Sequence, residues 1–314
     1  MSAWAKTILR YVNWSKQQVK YCAEANLNWT KEEAHARCLH LSDWCLQKLG
    51  LKKLGLPCKE CALSGIRREP QSTARPVPVP AKNYRWGCDI VGKFSTTDKT
   101  NTPQYALMVV DYHTNFCWMK PMHSKSETLS AFKKIVSEAK SLCRPTLLEV
   151  GGLGGQGGEE AEFLSSLLGQ YCQSKNIPVR LRTDSDSIFK SAAFSQFCQS
   201  HDTHLEYSSP GDQFYNGKVE NLIGLLKRKM FTVLKAPGLG MQYWPDAFQY
   251  CVCTYNRMPT RANVDDLSPY HMYRQRPPKL SHLRAFGCEC THWRKKTMSK
   301  GTGHAGIFLG YTPK

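Results

Sequence analysis

Three acidic residues stand where they could gather divalent cations: Asp89, Asp184 and Glu220. Asp184 closes a short apolar run, Ile177-Pro-Val-Arg-Leu-Arg-Thr-Asp184, and Glu220 falls just inside a helix predicted to begin near Gly217. The two are 36 positions apart (220 − 184). Asp89 lies upstream in Trp86-Gly-Cys-Asp89-Ile-Val-Gly-Lys-Phe94. One carboxylate on each of two strands and a third on a later helix can converge into a cage of hard oxygen ligands. Mg²⁺ prefers such ligands and binds through a few carboxylates plus the phosphates of its substrate. Two such ions stabilise the attacking and leaving oxygens of an in-line phosphoryl displacement. Asp111, at the end of the second predicted strand, and Asp186 are alternative ligands.

A second constellation has different chemistry. His35 and His40 precede Cys58-Lys-Glu-Cys61, and two imidazoles with two thiolates suit a tetrahedral zinc ion. Four protein ligands leave no open position for water, so this site would be structural. Cys38 and Cys45 are rival ligands for the fourth place.

The elements that must hold these residues can be read from patterning. Trp86 to Phe94, Tyr105 to Tyr112 and Phe116 to Met119 are short runs of apolar, aromatic and β-branched residues, which predict strands. Ser126 to Leu142 reads as a helix, because Leu129, Phe132, Ile135 and Val136 recur three and four apart. Ile177 to Asp184 resumes a strand, Phe189 to Ser200 a helix, and His204 to Tyr207 a strand. From Lys218 a long helix carries Val219, Leu222, Ile223, Leu226, Met230 and Val233 in one stripe, and another runs from Tyr243 to Asn256.

Gly151-Gly-Leu-Gly-Gly-Gln-Gly-Gly158 lacks the Gly-Lys-Ser/Thr ending of a phosphate-binding loop and reads as a surface insertion. Val264-Asp265-Asp266 lies in a turn-like segment and is given no catalysis.

Leu181-Arg-Thr-Asp184, Phe189, Phe194, Phe197-Cys198, Ser209-Pro210 and Asn216-Gly217-x-Val-Glu220 follow the order and spacing of retrotransposon integrases. The chain most resembles the copia-like group of LTR retrotransposons. Its zinc module resembles the family's His-His-Cys-Cys module, here followed by Gly65, Arg67 and Arg68. Ser268-Pro269-Tyr270, Leu283-Arg-Ala-Phe-Gly287-Cys288 and Gly306-Ile-Phe-Leu-Gly-Tyr311 resemble its continuation. Departures are Ser185-Asp-Ser-Ile188 before Phe189, Phe214-Tyr215 where the family has Gln, and Asn221 where it often has Arg.

The resemblance implies an α/β, ribonuclease H-like fold. A mixed five-stranded sheet with flanking helices follows a small helical zinc module. The expected organisation is an N-terminal segment of unassigned role (1–30), the zinc module (31–70) and a Pro-rich linker (71–82). A catalytic core (83–257) with a Gly-rich insertion (143–172) comes next, then a basic C-terminal region with a small β module (258–314). It also implies that Asp89, Asp184 and Glu220 hold Mg²⁺ or Mn²⁺, and that His35, His40, Cys58 and Cys61 hold structural Zn²⁺. The activity implied is a polynucleotidyl transferase that processes element DNA 3′ ends and joins them to target DNA. Asn216, Lys227 and Arg228 are the expected DNA contacts, with Gly224 admitting a close-lying strand. A domesticated DNA-binding protein without catalysis and a ribonuclease H-like nuclease are the alternatives.

Composition agrees with a polyanionic partner. Lys plus Arg number 43 against 25 Asp plus Glu, an excess of 18. The resemblance narrows that partner to double-stranded DNA, both element ends and target, bound by a homo-oligomer and with no small-molecule substrate. The sequence has no run of about 18 apolar residues and no signal-peptide pattern, so neither a membrane span nor secretion is expected. The 14 cysteines are scattered in spacing, which favours reduced thiols in an intracellular protein, and the resemblance implies that it reaches the nucleus at integration.

Overall fold

The computed structural model describes residues 29–55, 58, 61, 79–95, 102–142, 171, 177–207, 216–294 and 302–311. Most of the N-terminal segment, most of the Pro-rich linker, most of the Gly-rich insertion, Gly65, Arg67, Arg68, residues 208–215 and the basic residues Lys295, Lys296 and Lys300 lie outside the described residues.

Two short helices open the described chain: α1 (Lys31–Arg37) and α2 (Asp43–Lys48). Thr30 caps α1, accepting from the Glu33 amide while the Glu33 carboxylate accepts from the Thr30 amide. This reciprocal pair satisfies two amides that a helix start leaves without partners.

The core sheet contains β1 (Arg85–Gly92), β2 (Tyr105–Asp111), β3 (Cys117–Met122), β4 (Arg180–Thr183) and β5 (His204–Tyr207). Its strand order is β3-β2-β1-β4-β5. β1, β2 and β3 pair antiparallel, whereas β4 runs parallel to β1 and β5 parallel to β4. A parallel neighbour requires a crossover. The helix α3 (Thr128–Leu142) lies in the crossover to β4, and α4 (Ala192–Gln199) in the crossover to β5. Two more helices follow, α5 (Gly217–Lys235) and α6 (Trp244–Tyr255), then the short α7 (Pro269–Arg274). This mixed sheet with its helices is the ribonuclease H-like architecture. The strands β6 (Glu289–Arg294) and β7 (Thr302–Ile307) form a separate antiparallel pair in the C-terminal region.

Both sheet faces are covered, so β2 is an almost unbroken buried apolar run instead of an alternating one. On one face Trp86, Cys88, Leu107 and Val109 pack with Phe132, Ile135 and Val136 of α3 and Phe194 of α4. On the other, Met108 and Val110 pack with Val219, Leu222, Leu226 and Met230 of α5 and with Phe248 and Cys251 of α6. The α5 stripe expected from sequence is the face that is buried.

The zinc module rests on this core. Ala34, Cys38, Leu46 and Leu49 form one apolar cluster with Met258, Leu280 and Leu283 of the C-terminal region. Lys229 of α5 donates to the His40 carbonyl at 2.5 Å.

Candidate metal centres

The sheet register brings two of the acidic residues together. Cys88 of β1 pairs with Thr183 of β4. The next residue on each strand is Asp89 and Asp184, so the two carboxylates start from neighbouring points where β4 ends. Glu220 is an exposed residue in the first turn of α5. Half-buried Asp89 has its carboxyl pushed up to about 7, first by burial, then by the charge of Asp184 and, more weakly, that of Glu220. Asp184 is also raised, by burial and by the neighbouring Asp186. Crowded, partly desolvated carboxylates disfavour their charged forms, and a divalent cation between them reverses that preference.

Local hydrogen bonds aim these groups. The Ile90 amide donates to Asp89 Oδ1 at 2.7 Å, and the Asp186 amide to Asp184 Oδ1 at 3.3 Å. Asp186 itself pairs with Lys125 at 2.6 Å and accepts from the Ile188 amide. Asp111 is fully buried and accepts from the Asn83 amide, the Thr114 amide and the Thr114 hydroxyl. That pins the turn after β2, and Asp111 is therefore a structural carboxylate and not part of the acidic group.

Two residues that pattern reading gave no positioning role bring α5 close to β1. A Cβ built on Gly87 would lie 2.3 Å from Val219 Cγ2 and 2.4 Å from Tyr112 Cε1. Only glycine lets the first turn of α5 lie this near the strand that carries Asp89. Asn216, expected to touch DNA, is instead 4% exposed. Its Nδ2 donates to the Cys88 carbonyl at 3.3 Å, and its Oδ1 accepts from the Tyr112 hydroxyl at 3.2 Å. The carboxamide is committed inside the protein and ties the start of α5 to the residue before Asp89. The sequence signal for both was proximity to the acidic residues: Gly87 is two before Asp89, and Asn216 four before Glu220.

Further along α5, Lys227 and Arg228 are half-buried, with the Lys227 ammonium 5.7 Å from the Phe94 ring centre. A Cβ on Gly224 would meet only Arg228 Nη1, at an ordinary 3.6 Å, so packing within the chain does not demand glycine there.

The second centre is more closed. His35, His40, Cys58 and Cys61 each offer a donor atom, and all four atoms lie within 4.8 Å of one another. His35 Nε2 is 3.3 Å from Cys61 Sγ, and His40 Nδ1 is 3.3 Å from Cys58 Sγ. Zinc with bonds of about 2.0 Å to nitrogen and 2.3 Å to sulfur sets a tetrahedral N···S edge of about 3.5 Å. The donor set and its spacing fit that ion. Leu39 and His40 both take positive φ, 59° and 51°, and this turn folds His40 back toward His35. The rival ligands are used elsewhere: Cys38 packs in the module's core, and the Cys45 thiol donates to the Pro259 carbonyl. Among the described residues this is the one group of three or more His, Cys, Asp or Glu drawn together so tightly; Asp89, Asp184 and Glu220 do not form such a group.

No family model matches the chain. Curated relatives do. The Pol polyprotein of transposon RE1 from Arabidopsis thaliana is 25% identical over 318 residues, 95% of this chain and 19% of that protein. That of transposon RE2, also from Arabidopsis thaliana, is 24% identical over 315 residues, again 95% of this chain and 19% of that protein. The chain is homologous to a segment of copia-type retrotransposon Pol polyproteins. The corresponding polyprotein of transposon TNT 1-94 from Nicotiana tabacum is 28% identical over 135 residues, 42% of this chain and 10% of that protein. The chain thus spans a fifth or less of the length of these relatives.

Among solved structures, the HTLV-2 integrase catalytic core domain in complex with magnesium is 18% identical, with a TM-score of 0.40 over 62% of this chain and 97% of that one. The simian T-cell lymphotropic virus intasome in complex with a PP2A regulatory subunit is 16% identical, with a TM-score of 0.42 over 81% of this chain and 78% of that one. The fold assignment itself rests on strand order and crossover.

Proposed function

We propose that this chain is the integrase portion of a retrotransposon polyprotein, and that it trims element DNA 3′ ends and joins them to target DNA. The observation that supports the reading is the register that sets Asp89 and Asp184 side by side at the end of β4, with Glu220 in the first turn of α5 and its charge felt at Asp89. These three would hold Mg²⁺ or Mn²⁺. The ions supply Lewis-acid stabilisation to the attacking and leaving oxygens of a phosphodiester. In joining, a DNA 3′-hydroxyl forms one P–O bond as another breaks, so the number of phosphodiesters is conserved and no external energy source is needed.

The chain's own part is positioning. β1 and β4 set the spacing of Asp89 and Asp184. Asn216 and Gly87 fix the height of α5 and hence of Glu220. A transition state with little covalent demand on the protein depends on such placement. Lys227 lies about 10 Å along α5 from Glu220, by the 1.5 Å rise per residue, and with Arg228 is suited to meet a phosphate of the bound DNA. His35, His40, Cys58 and Cys61 would hold structural zinc. Joining two element ends calls for more than one copy of the chain, so a homo-oligomer is part of the proposal.

The test is a strand-transfer assay with short duplexes carrying the element's own termini, in Mg²⁺ or Mn²⁺. Joined products are expected. Cut but unjoined DNA would make the chain a nuclease. DNA binding without either product would make it a DNA-binding protein without catalysis, the alternative that the departures at Ser185, Tyr215 and Asn221 favour.

A further inference from the structure

Strand alternation places Arg85, Gly87 and Asp89 on one face of β1, the face against which Val219 of α5 packs. The parallel register sets Arg180 of β4 beside Arg85 and Arg182 beside Gly87. On β5, Glu206 pairs with Arg182. Three arginines therefore share the acidic centre's face of the sheet, around a single carboxylate. Glu206 accepts from Arg180 at 2.8 Å and from Arg182 at 3.0 and 3.2 Å, and Arg85 approaches it at 3.3 Å. One negative charge against three positive leaves a net of about two positive charges at this place. Arg85 and Arg180 flank the ring of Tyr84 at 5.9 and 5.6 Å, and Arg182 lies 6.0 Å from the ring of Tyr112. The Arg180 side chain is 42% exposed, whereas those of Arg85, Arg182 and Glu206 are 19%, 16% and 14% exposed.

We propose that this arginine strip on β1 and β4, anchored on Glu206, binds the phosphate backbone of DNA and leads it to the acidic centre. The inference rests on the DNA-joining reading and adds to it a binding site away from α5. Three features carry it. The strip runs along the strands straight into the acidic residues: Arg182 is two residues before Asp184, and Arg85 four before Asp89. Four residues of strand cover about 13 Å, the rise of about four nucleotides at 3.4 Å each. Glu206 holds the guanidinium planes in place while cancelling only part of their charge, so they are pre-organised donors. Guanidinium forks match phosphate oxygens, and phosphate contacts set register without reading sequence.

A plain structural clamp between β1, β4 and β5 predicts otherwise, and two substitutions separate the accounts. Binding of a mixed-sequence 30-base-pair duplex to the full, zinc-loaded chain is measured without added Mg²⁺ or Mn²⁺ across a salt series, with thermal melting as the folding control. Arg180→Gln removes the most exposed arginine of the three. The strip predicts about eightfold weaker binding at 0.1 M salt and a salt slope shallower by about 0.9. Glu206→Gln removes the strip's own negative charge, and here the strip predicts tighter binding with a steeper slope, which a clamp does not. Unchanged affinity and slope in folded Arg180→Gln overturn the strip and leave the joining reading standing. A wild-type chain that binds no duplex overturns both. Should Glu206→Gln fail to fold, Arg180→Glu decides, with a larger loss than Arg180→Gln expected.

Discussion

Gly87 and Asn216 do more for the acidic centre than their chemistry suggests. Neither can bind a metal through a charged group, yet one admits α5 and the other ties its start to β1. Gly87→Ala forces a methyl into Val219 and Tyr112. It should cost about 1–3 kcal/mol and lower joining at least tenfold through displacement of Glu220. A denaturant melt and the strand-transfer assay check this; full joining by the variant would contradict it. A different residue should set acid sensitivity. His271 in α7 is 5% exposed, and burial lowers its imidazole to about 4. Below its unfolded value of about 6.5 the unfolded chain takes up a proton that the folded chain refuses until pH falls to about 4. The stability from neutral His271 is thus complete above about 6.5 and declines as pH falls through that window. Between pH 7.5 and 5.0 the wild type should lose on the order of 2 kcal/mol more than His271→Leu, read from denaturant melts at each pH. Equal losses would show that His271 does not govern the slope. The His-Cys set was legible because its residue types and spacing are distinctive. Gly87, Asn216 and His271 were not, because their roles come from contacts with distant segments.

Elements were legible where one periodicity ran unbroken. The predicted helix over Ser126 to Leu142 is α3 with a preceding 3₁₀ turn, and the stripe from Val219 to Val233 is the buried face of α5. Boundaries shifted where capping decided them. The helix expected from Phe189 begins at Ala192, because Ser191 caps it by accepting from the Phe194 amide. Sequence pattern also gave no hint that Asn256, just after α6, completes the edge of β3. Its carboxamide accepts from the Cys117 amide at 3.0 Å and donates to the Cys117 carbonyl at 2.7 Å. Nor did it show the zinc module seated on α5 through Lys229 and His40. That contact makes the module's fold matter beyond itself. Structural zinc contributes directly to folding. Chelating it, or making Cys61→Ser, should raise amide exchange at least tenfold in α1, in α2 and around Lys229, and leave β1 to β3 protected. Unchanged exchange around Lys229 would mean that the module does not brace α5.

At the scale of the whole molecule, a strongly basic chain folds around a small acidic centre. The excess of 18 positive charges favours a polyanion, and under the proposed function phosphate would have to approach Asp89, Asp184 and Glu220. Divalent cations would resolve that conflict, and the proposal joins metal, acid and DNA for that reason. The described helices include none long and apolar enough to cross a membrane. The decisive measurement compares the wild type with Asp89→Asn, Asp184→Asn and Glu220→Gln in Mg²⁺-dependent strand transfer, with melting and duplex binding followed in parallel. The account predicts that the wild type joins ends, and that each folded variant binds DNA but joins at least a thousandfold less. Joining that survives in any one of the three, at a rate near the wild type, would contradict the claim that these carboxylates form the catalytic metal centre.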